Sequence, residues 1–297
     1  MRSLNPAPFT ASAELQAQSR AQACAAHLAR LALRSLYQEL ALFPKPGLVS
    51  LVDSGSHSDM DASSFLRSLF AIRHYFRAIA LAGWRGAAFA ELRQLGMQAE
   101  HAMLRATGGV NTHRGAIFSL GLLCAAAARV QGQGLAIDAQ NWRAALRQHW
   151  GGDLLAHQSR QFDDSHGARM AQRYACGGAR AQAAQAFPLL FEYALPLMQA
   201  ELQQGRPVQE ARLHTLFALI ATLPDSNLLY RGGVPGAAFA RNAAQDWLQA
   251  GACQAPDWQA RALALHHAFI ARRLSPGGAA DMLAAACFAH QVLHEAA

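Results

Sequence analysis

The sequence predicts an all-α protein. Hydrophobic residues make up 52% of its 297 residues, and the strong helix formers Ala and Leu supply much of that share. Clusters of β-branched residues, which are typical of strands, are rare. Apolar residues instead recur at helical spacing in long stretches bounded by Gly and Pro. We therefore expect one all-α catalytic domain over residues 13–297, after a disordered lead at residues 1–12.

The composition also limits the partners and the compartment. The net charge of +7 suits anionic partners, but 25 of the 26 basic residues are Arg, which is typical of a GC-rich genome. No Arg cluster with interleaved aromatic residues marks a nucleic-acid groove, so we expect no nucleic acid. Five Cys without a CxxC pair favour reduced thiols in the cytoplasm. The longest apolar run, Ala116–Val130, is too short to span a bilayer, so we expect no membrane contact.

The first half of the chain predicts a series of helices with short connections. Pro44 and Pro46 end the first helix, and an apolar stripe from Phe65 to Phe76 at helical spacing predicts the second. The polar residues 151–165 are expected to form a surface loop. The predicted helices are Ala13–Leu42, Ala62–Ala82, Ala87–Ala106, Ala116–Val130 and a short helix from Asp138 to about Trp150.

The second half predicts further helices in the same way. Pro188 and Pro196 are expected to cause local irregularity in one of them, and Ser275 with Pro276 forms an N-cap and first-turn pair. We expect a helix that opens at Ser165–Gly167, followed by helices at Phe187–Gln204, Pro207–Thr222, Ala237–Ala250, Pro256–Arg273 and Pro276–Ala296.

A first polar cluster follows the first helix. Lys45 is the only lysine of the chain, which indicates a position that needs a compact ammonium rather than a planar guanidinium, although chance retention is the alternative. It lies in the rigid turn that includes Gly47. His57, Asp59 and Asp61 share one side if the segment is extended. They form a candidate base or Mg²⁺ cluster, with capping of the next helix by Asp59 or Asp61 as the alternative.

A second cluster is Thr107-Gly-Gly-Val-Asn-Thr-His-Arg-Gly115, between two helices. It carries more hydrogen-bonding groups than a turn requires. The preceding helix should end at the glycines, since Gly takes the left-handed conformation at low cost, and Thr112 is a good N-cap for the next helix. Free N–H groups with Arg114 beside them make an anion site. Glu100 shares the face that leads to this loop, with a structural ion pair as the alternative.

A third cluster is Pro224-Asp-Ser-Asn-Leu-Leu-Tyr-Arg-Gly-Gly233. Asp225 and Asn227 offer oxygen ligands, and Arg231 with the two glycines after it is suited to a phosphate; a capped turn is the alternative. Gly178-Ala-Arg180 is a weaker anion-friendly pattern. The candidate phosphate-binding residues of the chain are Lys45, Gly47, Thr107, Gly108, Gly109, Asn111, Thr112, Arg114, Arg180, Asn227, Arg231, Gly232 and Gly233.

The ordered set of motifs resembles the triphosphoribosyl-dephospho-CoA synthase family from about residue 35 to residue 290. The motifs that carry the resemblance are Pro44-Lys-Pro-Gly-Leu-Val, His57-Ser-Asp-Met-Asp61, Ala99-Glu100 with Met103, the second cluster, Gly178-Ala-Arg180, Asp225-Ser-Asn-Leu-Leu-Tyr-Arg-Gly-Gly233 and Ser275-Pro-Gly-Gly-Ala-Ala-Asp281. Three positions depart mildly from the family. Arg114 replaces the usual Lys, Ala179 replaces a larger apolar residue, and Ser226 replaces a frequent Thr.

The resemblance implies an all-α enzyme that joins ATP to the 2′-hydroxyl of 3′-dephospho-CoA and releases adenine. The product would be the prosthetic-group precursor for an acyl-carrier subunit of malonate decarboxylase or citrate lyase, passed on by a prosthetic-group transferase. Mg²⁺ would accompany ATP, and a homodimer is one expected assembly. Two alternatives stay open: transfer to another acceptor or nucleotide N-glycohydrolysis at the same site, and a non-catalytic scaffold that binds a nucleotide or a protein.

The transition state of this transfer should be oxocarbenium-like, so the protein must hold triphosphate, deprotonate the hydroxyl and protonate adenine. The candidate catalytic residues are His57, Asp59, Glu100, His113 and Asp225, with His113 as a candidate acid and His57 or a carboxylate as the base. The candidate Mg²⁺ ligands are Asp59, Asp61, Glu100 and Asp225.

Overall fold

The computed structural model describes residues 8–159 and 178–295, and every regular element within these ranges is helical. The all-α prediction is therefore confirmed. The helices are α1 (Pro8–Leu40), α2 (Ala62–Arg85), α3 (Phe89–Ala106), α4 (Arg114–Gly132), α5 (Ala139–Ser159), α6 (Gly178–Ala184), α7 (Leu195–Gln203), α8 (Val208–Thr222), α9 (Ser226–Gln249), α10 (Trp258–Ala271) and α11 (Gly277–Glu295). A π-helical turn at Leu189–Ala194 precedes α7, and a 3₁₀ turn at Ala252–Gln254 follows α9.

The core is built around α4 and α11, which are rich in Ala and Leu and buried along most of their length. Helix α4 packs against α1, α2, α5 and α11, and α11 also packs against α1 and α8. Small side chains allow these helices to approach closely. Their first turns, at Arg114 and Gly277, carry the segments that the motifs marked.

One described helix, Arg114–Gly132, is long and apolar enough to cross a membrane by length and composition, but 72% of its apolar window is buried inside the protein. Burial in the core therefore accounts for its composition. The four described cysteines are all free and buried.

Several predicted boundaries differ from the structure. Helix α1 begins at Pro8 rather than Ala13, and the rest of the predicted lead, together with the helix opening at Ser165–Gly167, lies outside the described residues. Helix α5 continues to Ser159, so the described part of the predicted loop at 151–165 is helical. Its polar residues form an exposed helical face, which composition alone did not distinguish from a loop.

The third cluster also differs, because α9 begins at Ser226 rather than near Ala237. Asp225 caps this helix, so Asn227, Arg231 and Gly232 lie in its first turns. The helix breaks at Gly233, where φ is +60° and ψ is −163°, two residues before Pro235. Pro235 removes a backbone donor and Gly233 tolerates the non-helical geometry, so the chain bends instead of ending the helix.

Candidate functional site

The segment from Lys45 to His57 forms a closed loop whose two ends meet. The Ser56 N–H donates to the Gly47 carbonyl oxygen at 3.0 Å, and Gly47 has a φ of +65°. A Cβ at Gly47 would lie 2.1 Å from the Leu274 carbonyl oxygen, so this position requires glycine. The Ser56 hydroxyl donates to that same carbonyl at 2.5 Å. The loop is therefore fixed against the connection between α10 and α11.

His57 joins this loop to the third cluster. Arg231 Nη2 lies 2.9 Å from His57 Nδ1, and Ser275 Oγ lies 3.0 Å from His57 Nε2. A guanidinium N–H can only donate, so Nδ1 accepts and Nε2 carries the hydrogen. Burial lowers the pKa of His57 and Arg231 lowers it further, while Asp59 at 3.5 Å acts in the opposite direction. His57 is thus a neutral imidazole that orients Arg231.

Lys45 is fully buried, so it does not present its ammonium to solvent. Its Nζ donates to Glu39 Oε1 at 2.5 Å and to the Glu39 backbone carbonyl at 2.7 Å. Burial lowers the pKa of Lys45, and Glu39 beside it raises it. Two of the three ammonium donors are therefore used inside the protein. This explains the need for a compact ammonium, but it leaves at most one donor for a phosphate.

The second cluster, Thr107–Gly115, forms the loop between α3 and α4, and we call it the central loop. It has the predicted glycine stop after α3, but a different residue caps the start of α4. Helix α3 ends at Ala106, and Gly108 and Gly109 then take φ values of +68° and +92°. The side chain of Asn111, rather than that of Thr112, accepts the Arg114 N–H, at 3.1 Å. Thr107 is buried, and its hydroxyl lies within hydrogen-bond distance of the Met103 carbonyl in α3 and of the Val110 carbonyl in the loop.

Glu100 and Arg114 form an ion pair at the end of α3 and the start of α4. Glu100 Oε2 lies 3.1 Å from Arg114 Nε, and about a third of each side chain is exposed, 32% for Glu100 and 36% for Arg114. The ion pair was the structural alternative for Glu100. Because both partners remain partly exposed at the mouth of the loop, they also stay available to an anionic ligand and its cation.

The side chain of His113 is buried beneath the rest of the central loop. Its Nδ1 is 2.7 Å from Ser68 Oγ and 3.2 Å from Thr112 Oγ1, and its ring contacts Phe65 edge-on. Burial lowers the pKa of His113 to about 3, and the charge of Lys45 adds to this. His113 is therefore neutral near pH 7 and lacks the acidic proton of an imidazolium, which argues against the predicted role of acid.

Asp225 links the first turns of two helices. Its Oδ1 accepts the Asn227 N–H of α9 at 2.8 Å, and its Oδ2 accepts the Ala279 N–H of α11 at 3.0 Å. The side chain is buried, and burial raises its pKa against the lowering effect of these backbone donors. The capping alternative therefore holds at two helices, because Asp225 caps the start of α9 and also accepts a backbone N–H at the start of α11. Asp225 holds these helices together instead of facing an open site.

Asp281 lies near the start of α11 against the start of α4. It accepts a hydrogen bond from the Ala116 N–H, and a Cβ at Gly115 would lie 2.1 Å from its Oδ2. Burial raises the pKa of Asp281 well above its usual range, and Glu39 and Asp225 raise it further. Part of the residue remains accessible. The Asp281 carboxyl group therefore holds its proton to a higher pH than an exposed aspartate does.

The raised pKa of Asp281 predicts a pH-dependent stability. The folded state binds this proton more tightly than the unfolded chain, whose Asp pKa is about 3.9. The contribution of Asp281 is therefore complete below that value and is lost as the pH rises toward the folded pKa. Because Asn cannot lose a proton, Asp281→Asn should gain stability relative to the wild type between pH 5 and pH 8, measured by urea unfolding. The exposed Asp246→Asn serves as the control, and a pH-independent difference for Asp281→Asn would contradict the assignment.

Asp61 is the helix cap that the sequence allowed as an alternative. Its Oδ1 accepts the Ser64 N–H at 2.8 Å together with the Ser63 and Ser64 hydroxyls, each at 2.9 Å. These hydrogen bonds lower its pKa. The carboxylate is exposed at the start of α2 and is occupied by the cap, because a polar N-terminal turn needs an acceptor for its free N–H groups.

The predicted Mg²⁺ ligands have different surroundings in the structure. Among residues 8–159 and 178–295, no group of three or more His, Cys, Asp or Glu side chains is arranged to hold a metal ion. Asp225 is occupied by backbone donors. Asp59, which lies 3.5 Å from His57 and has 57% of its side chain exposed, and Glu100, which pairs with Arg114, keep partly exposed carboxylates. This set fits Mg²⁺ carried on phosphate, which needs only one or two carboxylates from the protein.

In the described part of the chain, the predicted clusters therefore lie close to one another, but several of their residues make contacts that the sequence did not predict. The first and third clusters meet at His57 and Arg231, and the starts of α4, α9 and α11 lie around Asp225 and Asp281. Helix starts carry partial positive charge, so the arrangement favours a polyanion at its accessible rim. That rim contains Gly108, Gly109, Asn111, Arg114, Asn227 and Arg231, all at least partly exposed.

Two predicted site positions, Arg180 and Gly232, have surroundings of a different kind. Arg180 lies in the short helix α6, next to the undescribed residues 160–177. Gly232 packs against Leu274, and a Cβ there would lie 2.5 Å from Leu274 Cδ2. A surface groove of about 400 Å³, lined in part by Phe43, Pro44 and Trp258, contains none of the predicted site residues.

Sequence reasoning missed Glu39 and underrated Asp281. Glu39 lies near the end of α1, where a charged residue reads as an ordinary solvent-facing position. Asp281 reads as a first-turn carboxylate that complements the helix dipole. The available signal was pairing: a lone buried lysine requires an acidic partner, and the nearest acid before it in the chain is Glu39.

Comparisons with known proteins match the chain to one enzyme family. A family model described as CitG, ATP:dephospho-CoA triphosphoribosyl transferase, matches residues 25–297. Proteins of Stutzerimonas stutzeri (40% identity; 91% of this chain and 92% of the relative covered) and Vibrio cholerae (37%; 89% and 87%) carry the name "Probable 2-(5''-triphosphoribosyl)-3'-dephosphocoenzyme-A synthase". A Pectobacterium atrosepticum protein with that name, without "Probable", is 38% identical over 84% of each chain. No solved structure matches significantly.

Proposed function

Since the chain belongs to the ATP:dephospho-CoA triphosphoribosyl transferase family and is a transferase, we propose that it moves the 5-triphosphoribosyl group of ATP to the 2′-hydroxyl of 3′-dephospho-CoA and releases adenine. The observation that carries this proposal is the contact between His57 and Arg231 at 2.9 Å. It unites two motifs that lie 174 residues apart in the chain and places a guanidinium beside helix starts that favour polyanions.

The triphosphate lies along the accessible rim of the site. Arg231 and Arg114 supply charge-assisted hydrogen bonds to its oxygens, and the exposed backbone at Gly108 and Gly109 approaches it without side chains. Lys45 lies behind this rim and contributes its charge from the interior. We propose Asp59 and Glu100, whose side chains are partly exposed, as the carboxylates that would hold Mg²⁺ with the triphosphate, and the ion would neutralise phosphate charge.

The reaction breaks the bond between C1′ and the adenine nitrogen and forms a bond between C1′ and the acceptor oxygen. The hydroxyl proton goes to Asp59 or Glu100, the candidate carboxylates with accessible oxygens. Asp281 supplies the proton that leaves with adenine, because burial at the start of α11 raises the pKa of its carboxyl group and part of the residue stays accessible. Burial is the common way in which a protein prepares a carboxylic acid for proton donation near pH 7.

The cellular context is proposed from the same family membership. The product serves as the prosthetic-group precursor for the acyl-carrier subunit of malonate decarboxylase or citrate lyase, and a prosthetic-group transferase receives it. We place the enzyme in the cytoplasm as a reduced protein, consistent with the free described cysteines. A homodimer stays part of the proposal.

The test is to incubate the purified protein with ATP, Mg²⁺ and 3′-dephospho-CoA and to follow adenine by chromatography. Acceptor-dependent adenine release is expected. Adenine release without acceptor would show a nucleotide N-glycohydrolase instead, and ATP binding without release would show a scaffold. Glu100→Gln should lower turnover at least tenfold. Glu91→Gln is the matched control, because Glu91 also lies on α3 and pairs with an Arg, Arg85, at 2.7 Å.

A further inference from the structure

His266 connects α10 to two points of the Lys45–His57 loop. It is fully buried. Its Nδ1 lies 2.5 Å from the Lys45 carbonyl oxygen, and its Nε2 lies 2.9 Å from Asp53 Oδ2. A carbonyl and an ionised carboxylate can only accept hydrogen bonds. Both ring nitrogens therefore carry hydrogen when both bonds are made, and His266 is an imidazolium paired with Asp53.

Asp53 extends this attachment through the loop. Its Oδ1 accepts the Gly55 N–H at 2.9 Å while its Oδ2 faces His266. Although 37% of the Asp53 side chain is exposed, both carboxylate oxygens are engaged with the protein. Asp53 is therefore placed to shape the loop rather than to bind a substrate atom.

The two ends of this loop carry groups of the proposed site. His266 fixes the backbone at Lys45, and the far end at Ser56 and His57 is held by Arg231, which donates to the Ser56 carbonyl at 3.1 Å. A shift of the loop would move Lys45 away from Glu39 and would release the orientation of Arg231. In the proposed function, Lys45 and Arg231 both contribute positive charge toward the triphosphate.

We propose that Asp53 and His266 are positioning residues, which hold the Lys45–His57 loop in the geometry that binds nucleotide phosphate without touching the substrate. The identity of the nucleotide as ATP rests on the proposed function. The competing interpretation is that Asp53 is a reacting carboxylate of the same acidic segment as Asp59. The two interpretations differ in what an amide at position 53 should do.

Asp53→Asn and Asp53→Ala separate them by steady-state kinetics. The Asn oxygen can accept the Gly55 N–H, and its Nδ2–H can donate to Nε2 of a neutral His266, so both bonds survive. We expect Asp53→Asn to keep KM for ATP and kcat within about threefold of the wild type, and Asp53→Ala to raise KM about tenfold with kcat little changed. Equal loss of kcat in both variants, or an unchanged Asp53→Ala, would overturn the proposal.

A second readout does not depend on turnover. Long-range ¹H–¹⁵N spectra should show both nitrogens of His266 protonated in the wild type and a neutral imidazole with hydrogen on Nδ1 in Asp53→Asn; the signal is assigned by its absence from His266→Asn. A neutral His266 in the wild type would refute the ion pair. If the wild type releases no adenine from ATP, the proposed function fails, while these spectra still decide the state of the pair.

Discussion

Replacing Lys45 with Met is expected to lower the free energy of unfolding by about 3–5 kcal/mol, because it leaves the Glu39 carboxylate buried without its counter-charge. Lys45 is fully buried and Glu39 is 7% exposed, so water cannot replace the lost ammonium. Met has a similar length and no charge, which separates the electrostatic loss from a packing defect. Urea unfolding at pH 7 measures the change, and acceptor-dependent adenine release should fall with it.

The double variant Glu39→Gln with Lys45→Met provides the control. An uncharged pair removes the orphaned carboxylate, so most of the lost stability should return, while adenine release should stay low because the interior charge behind the triphosphate is missing. Recovery of both the stability and the adenine release in the double variant would show that Lys45 is purely structural. Lys45→Arg should fail on both counts, since the planar guanidinium exceeds a fully enclosed ammonium site; full activity would refute the argument from the lone lysine.

Replacing Asp225 with Asn is expected to lower the free energy of unfolding by about 2–3 kcal/mol and turnover by about 100-fold or more. An amide offers one acceptor oxygen where the carboxylate serves both Asn227 and Ala279. Its NH₂ group would face a backbone donor, and the starts of α9 and α11 would separate. Arg231 and Asp281, which lie on these helices, would then lose their placement.

Unfolding curves and adenine release for Asp225→Asn should be compared with those for Asp246→Asn. Asp246 is an exposed carboxylate on the same helix, α9, so its variant controls for the loss of one negative charge. Normal stability with lost turnover in Asp225→Asn would assign Asp225 to the chemistry rather than to the joining of helices. Normal values for both quantities would remove Asp225 from the site.

The sequence motifs selected polar residues, and the structure shows the surroundings that bear on the roles we expect for them. Lys45, His57, Arg114, Asp225 and Arg231 were each selected from motifs and lie in or against the candidate site. The roles changed where burial decides the charge state. His113 became neutral because it is enclosed. Asp225 became a joint between helices because two sets of backbone N–H groups converge on it.

The long-range contacts of these residues were not predictable from local pattern, although a buried lysine indicates that some acidic partner must exist. Glu39 on α1 and His266 on α10 sit in ordinary helical sequence, and each gains its meaning from a contact: Glu39 with Lys45, and His266 with Asp53, 213 residues away. A helical period shows which face is apolar but not which element will cover it. Long-range polar pairs are therefore read from the tertiary structure.

The sequence by itself determined the helical class, the extent of most helices, the glycine stop after α3 and the motif set that places the chain in its family. These properties depend on helix propensity, on apolar spacing and on the conformations open to Gly and Pro, all of which act over a few neighbouring residues. Only the tertiary structure decided which carboxyl groups are buried, which donors of the Lys45 ammonium are already used and which loop ends meet. Those outcomes depend on desolvation and on contacts between distant segments, which local sequence does not contain.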